Sequence, residues 1–572
     1  MNDGADRRHE PSKVRFGCWA IVAASGLLGL GLIADQAYRL SATYDEVTYL
    51  EVGAKWWRTS EQRTITRMGS PLTFWKIQQI PTLWLIDHFG DRSWIDEPIE
   101  HQARLLPLIR IGGSWIWLAA LGLVAVWSRS WYGDRAMALA AMIFAFSPNL
   151  LAHGALCTME MPLVATSSAM VFAFARFLQG GRRGWLWASA SVGGLAFSCK
   201  FTTVLIPPIL GAIWAVDLWR RRDPARPRWP QGVRALKTLV GGMVGYGAIL
   251  VLSNLLVTGF ATISLSPRTG SHPVLDSRLG PTVAAWASTI LEAEYPQDWV
   301  GFARQVILQK GGGPSYLFGE RRSSGWWYYY LVAMAVKVPL GFWLLAAVRS
   351  RFRPGDDRQG WIIAVYVSLF LAAALVGSKR NYGVRYLLPL APPAIVWVSA
   401  LANSGWGLRL ARRAGLVAMG VAVGSIHPYE LSYFNLITGG AEGGRRILSD
   451  SNLDWGQGAR SMARLQATQP RFRDLTWFYF GDTNPAWYGV VGPCYQFDAH
   501  RSPEGLPDRL SASTAYLAVS ASLQWGPWGP SGYFAALDKL RPVKYSADMT
   551  VAIYRTADLV AVDPIKTGPD PE

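Results

Sequence analysis

The chain has 572 residues, 51% of them hydrophobic and 17% charged, with a formal net charge of +17. A charged share below the ~25% usual in soluble domains, together with recurrent apolar runs near ~20 residues, excludes an ordinary soluble globule. The positive balance does not point to nucleic acid as a partner. The arginines cluster in short loops between apolar runs, the pattern of cytoplasmic loops, and no basic groove with a nucleic-acid motif is present.

The N-terminal tail, 1–15, carries Arg7, Arg8, Lys13 and Arg15, which places it in the cytoplasm. Crossings are expected at about 16–34, 106–127, 134–151, 158–178, 185–199, 202–219, 236–257, 327–348, 360–377, 386–403 and 413–430, about eleven in all. The pair 185–199 and 202–219 has a second reading, as one span with a re-entrant piece. The first is an uncleaved anchor, since no small-x-small cleavage site follows it. Alternating sides from the tail puts SRSWYGDR, QGGRRG, RRRDPARPRWPQGVR, RSRFRPGDDRQ and GLRLARR inside, and each is rich in arginine. Of the outer loops, LAHGALCT has no Lys or Arg. GSKRNYGVR is the exception, with Lys379, Arg380 and Arg385 against the bias. Cations placed where the charge rule opposes them are functional candidates.

Two long outer segments follow, 35–105 and 258–326, the second far longer than a usual connection. The part 431–572 reads as a separate outer α/β domain, with LTWFYFG, TAYLAVS and TVAIYR as strands and GARSMARLQA as a helix. The end, DPIKTGPDPE, is expected to fray. The fold class is therefore a polytopic α-helical membrane domain, 16–430, with a C-terminal extracytoplasmic α/β domain. Cys18, Cys157, Cys199 and Cys494 lack metal-ligand spacing, so neither a zinc site nor a disulfide framework is expected.

The polar features assigned to the outer face form one set. Asp45 and Glu46 follow the first crossing, His153 and Glu160 flank the turn in SPNLLAHGALCTMEMPL, and Lys200 sits in AFSCKFTT. Lys379, Arg380, Arg385 and Tyr386 lie in GSKRNYGVRYLLPL. Each has an ordinary alternative: solvated acids, snorkelling lysines, helix-end histidine, interfacial tyrosine. Lys337, in MAVKVPL, also reads as snorkelling. Their shared face favours group transfer from an anionic lipid carrier. Cations would hold a carrier phosphate and stabilise the charge that grows on it as it leaves. A carboxylate would take the acceptor proton; Asp45 is the candidate base, with Glu46 orienting an acceptor or tuning its neighbour. Asp450, Asn452, Asp454 and Gln457, in SDSNLDWGQG, form either a polar site above the membrane or a helix start. The sequence establishes no cofactor and leaves a divalent metal open; Asp45, Glu46 and Glu160 are the carboxylates that would hold one.

The segments DEVTYLEVG, SPNLLAHGALCTMEMPL, GLAFSCKFT, YLFGERRSSGWWYYYLVAMAVKVPL, NYGVRYLLPL and HPYELSYFNLITGGAEGGRRILSDSNLDWGQG occur in this order. Together they resemble the bacterial dolichyl-phosphate-mannose-protein mannosyltransferase-like proteins of glycosyltransferase family 39, in the GT-C superfamily. The resemblance spans about 42–460 and extends to protein O-mannosyltransferases and the lipid A aminoarabinose transferase. It implies a polyprenyl- or dolichyl-phosphate sugar donor and inverting transfer at the extracytoplasmic face of the inner membrane. Asp45 stands at the position of the catalytic Asp, with Glu46 as companion; Arg385 and Lys200 match positions assigned to the carrier phosphate. One departure is Thr158-Met159-Glu160, where relatives typically have Thr-Thr-Asp; Glu reaches one methylene further. The expected activity is transfer of a mannose-like sugar to a hydroxyl, protein Ser/Thr or a cell-envelope acceptor such as a lipid A-like molecule or polysaccharide. A lipid-linked glycan transporter or flippase is the alternative of another class. It should show internal repeats and acidic or broken helices near mid-membrane, and neither is expected from the sequence.

Overall fold

The computed structural model describes residues 12–61, 73–225, 227–265, 289–352, 359–377, 379–499, 502–506, 510 and 513–562. Residues 1–11 of the basic tail, most of RSRFRPGDDRQ, the middle of the 258–326 segment and DPIKTGPDPE lie outside the described residues.

All eleven expected crossings fall on helices. Seven are long and apolar enough to span a membrane: Val14–Arg39, Gln102–Tyr132, Glu160–Gly180, Phe201–Arg220, Trp229–Val257, Gly360–Gly377 and Val384–Asn403. Two more pass only as bent pairs, Asp134–Ala145 with Pro148–Gly154 at 68° and Tyr329–Lys337 with Leu340–Arg351 at 104°. Proline accounts for both breaks. Pro148 begins one second half, and Pro339 stands just before the other. The count of eleven is corrected at two places. Arg183–Phe197 has only 15 residues, about 22 Å of helix against a ~30 Å core. Trp406–Gly424 carries Arg409, Arg412 and Arg413 in its first half, so GLRLARR is part of a helix, not a loop.

The helices share one apolar core, which runs from Cys18 and Trp117 through Phe174 to Tyr366 and Val396. A smaller core gathers the 35–105 segment around Leu50, Trp75 and Leu105. That segment is structured: helices Tyr44–Thr59 and Ile80–Phe89 pack beside the end of the bundle.

The C-terminal part holds a five-stranded sheet. Its spatial order is Cys494–Phe497, Leu475–Phe480, Tyr516–Ser520, Val551–Arg555 and Lys544–Tyr545. Strand Leu475–Phe480 pairs in parallel with both neighbours, and the pairs on the far side are antiparallel. The run LTWFYF is buried throughout, as a central strand covered on both faces must be. Phe478 and Phe480 point into one core, and Leu475, Trp477 and Tyr479 into the other, as the period-two alternation of a strand dictates. The helix Ala459–Thr468 covers the second face through Met462 and Leu465.

Candidate active site

The site is built from the ends of four spans. Asp45 lies just beyond the end of Val14–Arg39, while Glu160, Lys200 and Arg385 stand at the starts of Glu160–Gly180, Phe201–Arg220 and Val384–Asn403. Three helix starts thus converge, and the dipole of the α-helix Glu160–Gly180 adds positive potential at Glu160. Arg129 and Arg221, each paired with an acid, mark the opposite end of the bundle.

Four charges alternate in a row. Arg385 Nη1 is 3.1 Å from Asp45 Oδ2 and 3.5 Å from Glu160 Oε1; Lys200 Nζ is 2.9 Å from the same Glu160 oxygen. Asp45 keeps 27% of its side chain exposed, against 1% for Glu160, so the row opens toward solvent at Asp45. Burial pushes the Asp45 carboxyl above the usual carboxylate value, and Arg385 opposes the shift. Tyr386 forms an aromatic wall, with Lys200 4.2 Å and Arg385 5.6 Å from its ring centroid. Arg385 also lies over Trp455, at 4.1 Å. His153 meets the same Trp455 edge-on and is buried, with Nδ1 lacking a hydrogen-bond partner. Among the candidates, Asp45, Glu160, Lys200, Arg385, Tyr386 and His153 therefore come together.

Glu46 does not join them, and its expected role beside the acceptor is corrected. It is the third residue after the N-cap Thr43, and its Oε2 accepts from Thr43 N and Oγ1, both at 3.0 Å. Arg110 grips both carboxylate oxygens, and Cys157 N donates to Oε1 at 2.8 Å. The same guanidinium donates to the carbonyls of Ala37, Leu40 and Ser41. Glu46 is thus a fully buried strut that fixes the turn from which Asp45 projects. It follows that Asp45, Glu46 and Glu160 do not converge on a common metal position. Among the described residues there is no group of three His, Cys, Asp or Glu suited to a metal ion.

Asp454 and Gln457 are also spent on structure rather than on the cleft. Asp454 accepts from Gly456 N at 3.1 Å and Ser522 N at 2.9 Å, tying the segment to the sheet. Gln457 closes a turn with Trp455 N and the Leu453 carbonyl. Lys379 is exposed, and Arg380 donates to the Tyr382 hydroxyl at 3.0 Å and lies over its ring. Asp450 does face Arg385 electrostatically, and burial pushes its carboxyl up to about 6. Cys18, Cys157, Cys199 and Cys494 form no disulfide, and the first three are buried.

Besides Arg110, a second cation escaped the sequence reading. Lys76, from TFWKIQQ, is fully buried, lies 5.2 Å over the Trp56 ring, and its ammonium has no hydrogen-bond partner among the described residues. Burial pushes it down to about 8. The available signal was a lysine flanked by aromatic and apolar residues in a loop otherwise expected to be polar. Nearby, Asp298 accepts from Ser198 Oγ at 2.6 Å and Asn254 Nδ2 at 2.9 Å, anchoring the turn that presents Lys200.

Residues 91–240, which include Arg110, His153, Glu160 and Lys200, match the model of the family described as dolichyl-phosphate-mannose-protein mannosyltransferase. None of the curated proteins compared by sequence matches the chain. Among solved structures, the chain is similar to ArnT from Cupriavidus metallidurans bound to undecaprenyl phosphate. That likeness has 15% identity and a TM-score of 0.44, and covers 94% of this chain and 98% of that one. It is also similar to the Archaeoglobus fulgidus oligosaccharyltransferase in complex with Zn and sulfate. There the identity is 12% and the TM-score 0.37, over 94% of this chain and 73% of that one. Residues 91–240 are thus similar to that family, within a chain whose described residues hold seven helices, or up to nine with the bent pairs, long and apolar enough to cross a membrane.

Proposed function

We propose that the chain moves a mannose-like sugar from a polyprenyl- or dolichyl-phosphate carrier to an acceptor hydroxyl, with inversion, at the extracytoplasmic face of the inner membrane. The observation that carries this reading is the Asp45–Arg385–Glu160–Lys200 row, with an open carboxylate at one end and two cations within it. An apolar cavity of about 380 Å³ lies alongside, lined by Val384, Leu388, Met334, Phe342 and Ile363. Val384 is the neighbour of Arg385, so a lipid chain in that cavity would present its phosphate to the guanidinium. The arginine-rich loops at the opposite end of the bundle favour an extracytoplasmic position for the site.

The chemistry follows from the placement. The carrier phosphate takes Arg385 and Lys200 as counter-ions, which releases Asp45 from its ion pair. The acceptor O–H then meets the Asp45 carboxylate, whose raised proton affinity suits a base. The acceptor oxygen bonds to the anomeric carbon as the carbon–oxygen bond to phosphate breaks. The proton passes to Asp45, and the bonding pair leaves with the phosphate, where the cations stabilise the added charge. Glu160 keeps the two cations apart and oriented before the donor arrives.

The test is turnover by the purified protein given polyprenyl-phosphate-mannose and a panel of acceptors: Ser/Thr peptide, polysaccharide and lipid A-like molecules. Product with inverted anomeric configuration, lost in Asp45→Asn, is the expected result. Equal turnover by Asp45→Asn would remove Asp45 as the base, and the active member of the panel identifies the acceptor class.

A further inference from the structure

A lysine at a span end is expected to snorkel to the interface. Lys337 instead turns inward and is 1% exposed. It ends the helix Tyr329–Lys337 at the 104° break, and Pro339 has no N–H for the Ala335 carbonyl. The carbonyls freed at this elbow are all taken by two asparagines. Asn435 donates from Nδ2 to Ala335 and Val338 and from its backbone N to Val336, and Asn149 Nδ2 donates to Lys337 at 2.8 Å. The elbow is therefore a fixed piece of backbone, buried in protein as non-helical backbone in a membrane must be.

The Lys337 ammonium leaves this elbow toward the C-terminal segment. It donates to the carbonyls of Leu431 and Asn452 and lies 4.6 Å over the Phe434 ring. No carboxylate lies within ion-pair distance of it among the described residues. A buried charge without a counter-charge is expensive, and within a membrane domain it marks function.

What the ammonium holds is the seat of Arg385. Asn452 accepts from Val384 N at 3.0 Å and donates to the Tyr329 hydroxyl at 2.9 Å. Ser451 Oγ and Arg385 Nε both donate to the Tyr382 carbonyl. Gly383, at φ +114°, passes so close to Ser451 that a Cβ would lie 2.4 Å from its Oγ. Trp455 supplies the ring beneath the guanidinium. Apart from the Arg385–Tyr382 bond, each of these ties runs through residues 451–455, and Lys337 fastens that segment to the elbow.

We propose that Lys337 is a positioning residue: by donating to the Leu431 and Asn452 carbonyls it fixes the 451–455 segment, and that segment sets Arg385 for the anionic group it receives. The binding arm of the test rests on the donor reading above; the exchange arm does not. In the full-length protein, Lys337→Met is expected to speed amide exchange in 381–386 and 449–457. It should also weaken binding of polyprenyl phosphate by ~10-fold, the effect of losing about one good polar contact. Lys337→Gln keeps two N–H donors without the charge and should bind within ~3-fold of the wild type. Added to Arg385→Ala, Lys337→Met should weaken binding no further, because both act through one guanidinium. A lower melting temperature with unchanged affinity and unchanged exchange in those segments would reduce Lys337 to a stability element and overturn the proposal. Should Lys337→Met not accumulate, Asn452→Ala keeps the carbonyl that Lys337 engages but removes the segment's bond to Val384 N, and is expected to lose ~10-fold; unchanged affinity there shows that the segment does not set Arg385 and overturns the proposal. If the wild type itself does not bind polyprenyl phosphate, the donor reading fails, and the exchange arm alone decides for or against Lys337.

Discussion

Arg385 and Asp45 meet at 3.1 Å although 340 residues separate them in the chain. The pair joins the carboxylate proposed as base to the cation proposed to receive the carrier phosphate, so each residue can be tested through the other's function. Asp45→Asn should lower turnover by ~10²–10⁴-fold, the usual worth of a general base, with donor affinity kept or raised. Arg385→Ala should weaken polyprenyl phosphate binding by at least ~10-fold, in line with a hydrogen bond to a charged group. Steady-state turnover and carrier binding, measured separately, check the two outcomes.

Glu160 serves two cations from one oxygen, at 2.9 Å and 3.5 Å. Glu160→Asp withdraws the carboxylate by one methylene, and one carboxylate then cannot hold both contacts. The expected result is a ~10-fold change in donor affinity at little cost in melting temperature. Binding curves for wild type and Glu160→Asp at matched salt make the comparison; identical curves would assign Glu160 to packing alone.

The Glu46–Arg110 pair predicts a different kind of loss. Removing one partner leaves the other charge buried and unpaired, so Glu46→Ala should destabilise the folded chain by about 3–5 kcal/mol. Thermal unfolding in detergent, followed alongside expression yield, reads this directly. A variant that is as stable as wild type but inactive would return Glu46 to the chemistry.

Asp454 gives a pH dependence with a definite sign. Burial raises its carboxyl to about 7, against an ordinary value of 3.8. Between these values the folded state holds a proton that the unfolded chain has released. Its contribution to stability is therefore fully present below pH ~4 and is lost as pH rises through about 7. Asp454→Asn should flatten the melting temperature of the full-length protein across that window. An unchanged slope would show that Asp454 is ionised throughout.

Much of the architecture could be read from the chain because membrane burial writes a strong signal. Every expected crossing is helical, and LTWFYF, TAYLAVS and TVAIYR are strands where β-branched and aromatic residues cluster. The row of charges was also visible, since Glu160, Lys200 and Arg385 interrupt apolar sequence at span ends. Glu46 was misread because neighbours in sequence were taken as neighbours in space. On a helix, consecutive residues point about 100° apart, so Asp45 faces the cleft and Glu46 faces Arg110. For Asp454 and Gln457 the sequence left two readings open, because a polar run looks the same whether it closes turns or binds ligand. The two elbows had a signal, Pro148 and Pro339, but hydropathy averages across a bend.

The elbow at Pro339 has a consequence for how the enzyme comes into being. A chain synthesised and inserted as far as residue 430 already carries Asp45, Glu160, Lys200 and Arg385. It lacks Trp455 beneath the guanidinium and the Asn452 carbonyl that engages Lys337. The stretch 431–455 therefore completes a centre whose first residue was made some 400 residues earlier. A chain cut before residue 451 would hold Arg385 without its ring and without the tie to Lys337, so order of synthesis alone sets when the centre can be assembled.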